Sequence, residues 1–146
     1  MNFTIFAERM NDLIFDNKLT VKSFINKIEL PKTTVYEYLS GKKMPTINNA
    51  IKIAKFFSCS LDYLFGIESN YYPFSFNEVK PFTEVLSAFL SRYSLSRYKL
   101  QQLTNISSST LYYWAKGITQ PNIENLYVIA TKFNCSIDYL AGLTEQ

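Results

Sequence analysis

Few side chains in this sequence belong to the types that catalyse reactions or bind metal ions. The chain contains no histidine, and its two cysteines, Cys59 and Cys135, are too few for a disulfide framework or an all-cysteine zinc site. No glycine-rich phosphate loop or serine-base pair can be assembled from the other residues. We therefore expect no enzyme activity, metal site or cofactor, and we expect both cysteines to be buried as small apolar residues.

Charge is the chemical feature that remains, and it is unevenly distributed. The 15 Lys and Arg residues exceed the 12 Asp and Glu residues, which gives a net charge of +3. Residues 1–67 hold nine cations against six anions, a net +3, whereas residues 68–146 hold six of each, a net charge of zero. This balance permits a polyanionic partner without requiring one, and it assigns the positive half to the start of the chain.

The hydrophobic content of 47% is enough for packed cores and argues against disorder. No uncharged stretch reaches the roughly 18 to 20 apolar residues of a membrane helix. Glu8 and Arg9 interrupt the start of the chain before a secretory apolar region can develop. We therefore expect a cytoplasmic protein with no membrane partner.

The sequence repeats itself with an offset of 76 residues, so that FSCSLDYLFGI returns as FNCSIDYLAGL. Between residues 6–67 and 82–143, 18 of the 62 aligned pairs are identical, and the alignment needs no gap. The identical pairs include Gly41 with Gly117, Pro45 with Pro121, and Tyr36 with Tyr112. The repeat predicts one domain over residues 1–67 (copy one), a linker over 68–81, and a second domain over 82–146 (copy two).

Each copy has the pattern of about five short helices, which predicts an all-α fold. Apolar residues at i, i+4, i+7 and i+8 mark the first helices. They are Phe6, Met10, Leu13 and Ile14 in copy one, and Phe82, Leu86, Phe89 and Leu90 in copy two. Hydroxyl and amide residues at cap positions predict the helix starts. These caps are Thr20, Thr46 and Ser60, with Ser96, Asn122 and Ser136 as their counterparts.

Gly41 and Gly117 suit a left-handed turn after the third helix. Asp62 and Asp138 fall in the first turn of the fifth helix, where the helix dipole favours a negative charge, so we assign them to capping rather than catalysis. In the second helices, we expect Phe24 and Ile28, or Leu100 and Leu103, to point inward. The third helices have helical spacing that stops before the glycine, at Thr34, Val35 and Tyr38, or Thr110, Leu111 and Trp114.

Two runs, one in each copy, resemble the helix-turn-helix of the lambda repressor and Cro family. They read LTVKSFINKIELPKTTVYEYLSGKKMPT and LSRYKLQQLTNISSSTLYYWAKGITQPN. The shared features are Leu-Thr or Leu-Ser before the second helix, a Thr-hydrophobic pair and an aromatic in the third, then Gly and Pro. The resemblance covers residues 5–67 and 81–143. It implies two tandem five-helix lambda-repressor-like domains joined by a short aromatic linker.

The resemblance also implies that double-stranded DNA is the partner, with the third helix of each copy in the major groove. The exposed positions of that helix are Lys32, Thr33, Tyr36 and Glu37 in copy one, and Ser108, Ser109, Tyr112 and Tyr113 in copy two. Lysine can donate to guanine, and hydroxyls can donate or accept. Glu37 either accepts from cytosine or is a solvated helix residue. Tyr36 and Tyr112 either pack on thymine methyl groups or lie partly buried against the second helix.

Cations beside the motif are the candidates for phosphate contacts. They are Lys22, Lys42 and Lys43 in copy one, and Arg97 and Lys116 in copy two. Copy one departs from the family pattern at Val21, where the family usually has a glutamine that contacts the DNA phosphate backbone. In the turn between the second and third helices, Glu29 and Asn105 replace the usual glycine, and glutamate tolerates a left-handed backbone less well than asparagine.

These features favour a sequence-specific transcriptional regulator, and more specifically a repressor, that reads an operator with unlike halves. The alternative is an antitoxin-like or mobile-element protein-interaction module in which one or both copies have lost DNA reading. Its basis is the neutral Ser- and Tyr-rich surface of copy two. The linker aromatics are too apolar to be left in water without reason, so they either hold the two domains together or form a homodimer surface. They are Tyr71, Tyr72, Phe74 and Phe76.

Overall fold

The computed structural model describes residues 3–76 and 78–145, and within them it has ten α-helices and no strand. The predicted all-α fold is therefore confirmed. Contacts divide the chain into two compact units, Met1–Ser75 and Phe76–Gln146. Residues 68–75 of the predicted linker thus fall with the first unit, and residues 76–81 fall with the second. Met1, Asn2, Asn77 and Gln146, which the predicted domains and linker include, lie outside the described residues.

Each unit contains five of these helices. The first unit has α1 (Phe3–Asp16), α2 (Val21–Ile28), α3 (Lys32–Leu39), α4 (Ile47–Phe57) and α5 (Leu61–Leu64). The second has α6 (Phe82–Arg92), α7 (Arg97–Thr104), α8 (Ser108–Ala115), α9 (Ile123–Phe133) and α10 (Ile137–Leu140).

The helices begin where the sequence predicts, because side chains satisfy their first backbone N–H groups. In α2, Thr20 Oγ1 accepts from the Ser23 N–H at 3.0 Å, and Ser96 Oγ accepts from the Lys99 N–H in α7 at the same distance. The other predicted caps form the same bond three residues ahead. They are Thr46, Ser60, Asn122 and Ser136.

The third helix of each unit ends in the predicted left-handed glycine, with φ of +75° at Gly41 and +72° at Gly117. The backbone N–H of the residue after each glycine then donates to a carbonyl oxygen of the helix. Lys42 donates to the carbonyl of Glu37 at 3.0 Å, and Ile118 donates to that of Tyr113 at 2.9 Å. The chain therefore reverses direction sharply after each third helix.

The core of the first unit forms around the predicted face of α1. Phe6 stacks on Phe65 with ring centroids 5.2 Å apart and meets Tyr38 edge-on at 5.6 Å. Tyr38 is buried, and its hydroxyl accepts from Asn49 Nδ2 at 3.0 Å. This bond attaches the start of α4 to the inner face of α3.

In the second unit, Trp114 takes the place of Tyr38. It is 1% exposed and packs edge-on against Phe82 at 5.4 Å. Leu90 and Leu103, which we predicted to face inward, are only partly buried, because Phe89 and Leu100 already fill the inner positions of those helices.

Cys59 is buried as predicted, whereas Cys135 is only partly buried. In the first unit, the Phe74 N–H donates to the Ser58 carbonyl at 3.0 Å, so the chain covers the turn that holds Cys59. Tyr71 reinforces this cover, since its hydroxyl donates to the Phe57 carbonyl at 3.2 Å. Part of the aromatic linker therefore caps the end of α4.

The segment before α6 is attached to the end of the second unit. The Lys80 N–H donates to the Gly142 carbonyl at 3.0 Å, and Lys80 Nζ lies 2.8 Å from a Glu145 carboxylate oxygen. The hydrogen bond with Glu145 raises the pKa of Lys80. Gly142 permits this approach, because a Cβ there would lie 2.5 Å from the Lys80 carbonyl oxygen.

The turn after α2 contains a glutamate in a left-handed conformation. Glu29 has φ 60° and ψ 41°, and Asn105 occupies the same region after α7 with φ 61°. Copy one therefore forms the family turn despite its unfavourable residue. Lys52 on α4 supports it by donating from Nζ to the Glu29 carbonyl oxygen at 3.2 Å.

We expect Glu29→Gly to stabilise the first unit by about 0.5 to 1 kcal/mol. A left-handed conformation costs a non-glycine residue about 1 to 2 kcal/mol, and the greater freedom of unfolded glycine offsets part of this gain. The bond from Lys52 goes to the main chain and survives the substitution. Urea unfolding of the full chain measures the change. Asn105→Gly is the matched control and should have a smaller effect, and a loss of stability on Glu29→Gly would refute the strain argument.

Candidate nucleic-acid interface

The second and third helices of each copy build a helix-turn-helix with one buried and one exposed face. In α3, Val35 and Tyr38 point into the core, and in α8 Leu111 and Trp114 do the same. Residues on the opposite face are left to solvent.

In copy one, this surface carries Lys32, Thr33 and Tyr36, which are exposed as predicted. Lys32 Nζ lies 6.0 Å from the centre of the Tyr36 ring, so the cation and the aromatic ring share the first turns of α3. Glu37, predicted to be exposed, is partly buried. The reason is that the turn after α3 folds onto it: the Ser40 hydroxyl and the Lys42 N–H both donate to its carbonyl oxygen.

The other predicted cations of copy one lie on segments that flank α3. Lys22 is exposed in the first turn of α2, and Lys42 and Lys43 are exposed directly after Gly41. Positive side chains therefore lie before and after α3. Copy one combines a lysine on that helix with lysines on both sides of it.

In copy two, all the predicted residues except Lys116 come together around an open cleft of about 450 Å³ between α7 and α8. Its walls bring tyrosine rings, hydroxyls and one cation to a single place. The lining residues are Arg97, Tyr98, Gln101, Ser108, Ser109, Tyr112 and Tyr113, hereafter the tyrosine cleft.

Tyr112 is the centre of the contacts around this cleft. The guanidinium of Arg97 lies 5.7 Å from its ring centre and the ammonium of Lys116 lies 5.6 Å from it. Tyr113 packs near it with ring centroids 5.8 Å apart. One aromatic ring therefore gathers both predicted cations of copy two, and the ring keeps 46% of its surface exposed.

The sequence did not indicate two residues of the cleft, Tyr98 and Gln101. Tyr98 is 68% exposed, and its hydroxyl accepts from Gln102 Nε2 at 3.0 Å. The available signal was the repeat, since Tyr98 stands where copy one has Lys22. At this aligned position, copy one therefore has a candidate for phosphate contact, Lys22, and copy two has an aromatic residue that lines the cleft, Tyr98.

The starts of α3 and α8 also differ. Ser107 caps α8, because its hydroxyl accepts from the Thr110 N–H at 3.2 Å and donates to Thr110 Oγ1 at 2.7 Å. At the same position, α3 has Pro31, whose side chain cannot cap a helix. Hydroxyl groups therefore order the start of α8, whereas Lys32 is the first polar side chain of α3.

These surfaces are suited to binding a polyanion that also presents hydrogen-bonding and apolar groups in a groove. Cations and helix starts bind phosphates, while lysine, hydroxyl and aromatic side chains contact base edges. In the part of the chain that the structure describes, no helix has the length and apolar character needed to cross a membrane. Across the same residues, Cys, Asp and Glu side chains form no group that could hold a metal ion.

Comparison with protein families gives two matches to one model, described as helix-turn-helix, over residues 17–64 and 92–140. These ranges cover the second to fifth helices of each copy. Searches of curated proteins and of solved structures give no match. The two matches confirm the tandem arrangement. The chain therefore belongs to the helix-turn-helix family of DNA-binding regulators, of the lambda repressor and Cro type, with two copies of the domain in tandem.

Proposed function

We propose that the protein is a sequence-specific transcriptional repressor that reads major-groove half-sites with α3 and α8. The observation that carries this proposal is the exposed outer face of both third helices, each supported from behind by a buried aromatic side chain, Tyr38 or Trp114. Helices held in this way keep their reading residues in fixed positions, as recognition requires. Repression needs no further part, because a protein bound over a promoter excludes polymerase.

The two halves of the operator are unlike, since the two reading faces differ in chemistry. In copy one, Lys32 can donate to guanine O6 and N7, and Thr33 can accept or donate. In copy two, Ser108 and Ser109 offer hydroxyls, and Tyr112 and Tyr113 offer rings. Footprinting on selected DNA tests this point. Two identical half-sites under one protein molecule would refute it.

Phosphate contacts come mainly from copy one. Its exposed cations beside the motif are Lys22, Lys42 and Lys43, whereas those of copy two, Arg97 and Lys116, both lie against Tyr112. The net charge of +3 over residues 1–67 adds a favourable long-range field. Copy one therefore supplies most of the salt-dependent affinity.

Selection of bound duplexes from a random pool, followed by titration at increasing salt, tests the proposed function. We expect the logarithm of the binding constant to fall by about 0.9 for each phosphate contacted per tenfold rise in salt. A reporter gene placed behind the selected site should be silenced when the protein is present. Binding that shows neither sequence selection nor salt dependence would exclude a DNA-reading repressor.

A protein-interaction module is the second candidate, and the tyrosine cleft favours it. Tyrosine and serine surfaces bind proteins well, and residues 68–146, which contain the linker and copy two, have no net charge. In this case, one or both copies bind a protein partner in place of DNA. The salt titration separates the two candidates, because a protein-binding copy adds no phosphate contacts to the slope.

A homodimer through the linker aromatics stays a prediction. Tyr71 and Phe74 bond to the end of α4, while Tyr72 keeps 62% of its surface exposed. Light scattering across a range of protein concentrations measures the mass. Tyr72→Ser should lower that mass to the monomer value if this residue holds two chains together.

A further inference from the structure

We propose that copy two reads thymine methyl groups through Tyr112 and the tyrosine cleft, so that its half-site is rich in A·T base pairs. This inference rests on the proposed function, since it names the bases that the same surface recognises. The argument uses the side chains that the outer face of α8 presents, the contacts that hold them, and the charge that surrounds them.

The outer face of α8 lacks the side chains that most often read guanine. Ser108, Ser109, Tyr112 and Tyr113 occupy it, and none of them is the arginine or lysine that bonds guanine O6 and N7. Copy one has Lys32 for that purpose. The apolar group that the major groove offers is the C5-methyl of thymine, and aromatic side chains contact it favourably. Gln101 in the same cleft is of a type that pairs with adenine, the partner of thymine.

Contacts hold the Tyr112 ring in position before DNA arrives. The Arg97 and Lys116 cations lie 5.7 and 5.6 Å from the ring centre, and Tyr113 lies against it. A ring already held in place loses little conformational freedom on binding. With 46% of Tyr112 and 44% of Tyr113 exposed, both rings retain apolar surface that a methyl group can cover.

Charge favours DNA over a protein as the occupant of the cleft. Arg97 in the cleft and Lys116 beside it bring two positive charges to Tyr112, and the other residues that line the cleft are neutral. Two cations beside exposed aromatic rings suit a ligand that has negative charges and apolar groups close together. Duplex DNA that contains thymine has both, in its phosphates and its methyl groups.

The test compares two short duplexes of the same A·T-only sequence, one containing thymine and the other deoxyuracil. They have the same charge and the same hydrogen-bonding groups, and they differ in the C5-methyl. We expect the full chain to bind the thymine duplex more tightly, by about fourfold for each methyl that Tyr112 covers. Tyr112→Phe should keep this preference, because the ring remains, and Tyr112→Ala should reduce it by the same factor.

Val128→Ala is the control, because Val128 is an exposed side chain on α9, away from the cleft lining. It should leave the preference unchanged. Salt-dependent binding with equal affinity for both duplexes would overturn the thymine inference while leaving the proposed function intact. A preference that is undiminished in Tyr112→Ala would also overturn it, since the methyl would then act without this ring. Absence of salt-dependent binding to either duplex or to selected DNA would overturn the proposed function as well.

Discussion

Replacing Lys32, Lys42 and Lys43 with glutamine is expected to weaken binding to the selected operator by about two orders of magnitude at about 0.15 M salt. Each phosphate contact contributes a slope of about 0.9, which corresponds to roughly fivefold in affinity at that salt concentration. Lys42 and Lys43, as two such contacts, account for about thirtyfold, and the loss of the Lys32 contact to guanine, worth about 1 kcal/mol or more, brings the total to about two orders of magnitude. Electrophoretic mobility shift or fluorescence anisotropy at several salt concentrations measures both the affinity and the slope.

The position of these lysines is the physical reason for so large an effect. Lys32 opens α3, and Lys42 and Lys43 follow the Gly41 turn that ends it, so the three charges lie at both ends of the reading helix. All three are exposed and reside in the half of the chain with net charge +3. Lys32 lies beside Tyr36, so its loss should also relax the choice of base in its half-site.

The matched control removes three cations from copy two, with Arg97, Lys99 and Lys116 each replaced by glutamine. The change in net charge is identical, so any difference reflects where the charges stand. We expect a weaker loss of affinity, because Arg97 and Lys116 both lie against Tyr112 and the surrounding half has no net charge. Equal losses in the two triple variants would contradict the ranking of the copies.

Local chemistry made most of the fold predictable from the sequence. Thr20 and Ser96 cap their helices because a hydroxyl at that position meets a free N–H three residues later. Gly41 and Gly117 adopt the left-handed conformation that a helix end requires. Because the two copies align without a gap, each inference made for one copy applied to the other as well. Both the five-helix domain and its tandem copy therefore follow from short-range patterns.

Contacts between residues distant in sequence were not predictable in the same way. Lys52 supports the turn at Glu29 from α4, and Tyr71 of the predicted linker caps the end of that helix. No periodic pattern in the sequence indicates either contact, because each depends on where one long side chain lies after the helices have packed. The same reason explains why Tyr98 was missed, because its role depends on the facing residues of α8.

The resemblance to the family supplied the candidate DNA-contacting residues, and their chemistry differs between the two copies. Lys32 and Tyr112 occupy the outer faces of α3 and α8, but one is a single donor and the other is a ring flanked by two cations. The sequence pattern predicts that such side chains lie on a surface. The structure shows which residues surround each of them there, and these neighbours determine what each side chain can bind.

Trp114→Ala is expected to destabilise the second unit by about 3 to 5 kcal/mol, the usual cost of removing a buried large aromatic side chain. Trp114 is 1% exposed and packs edge-on against Phe82 at 5.4 Å, so the substitution leaves a cavity between α6 and α8. A unit of about 70 residues has a total stability of roughly 4 to 10 kcal/mol, so a large part of it is lost. Urea unfolding followed by circular dichroism measures the change.

Two further variants show whether the cause is the cavity. Tyr112→Ala removes a ring two residues away that is 46% exposed, and it should cost well under half as much. Trp114→Tyr reproduces copy one, where the Tyr38 hydroxyl accepts from Asn49, and Asn125 stands at the equivalent place in copy two. It should therefore recover a large part of the stability. If Trp114→Tyr were as unstable as Trp114→Ala, the two copies would not share the same internal packing.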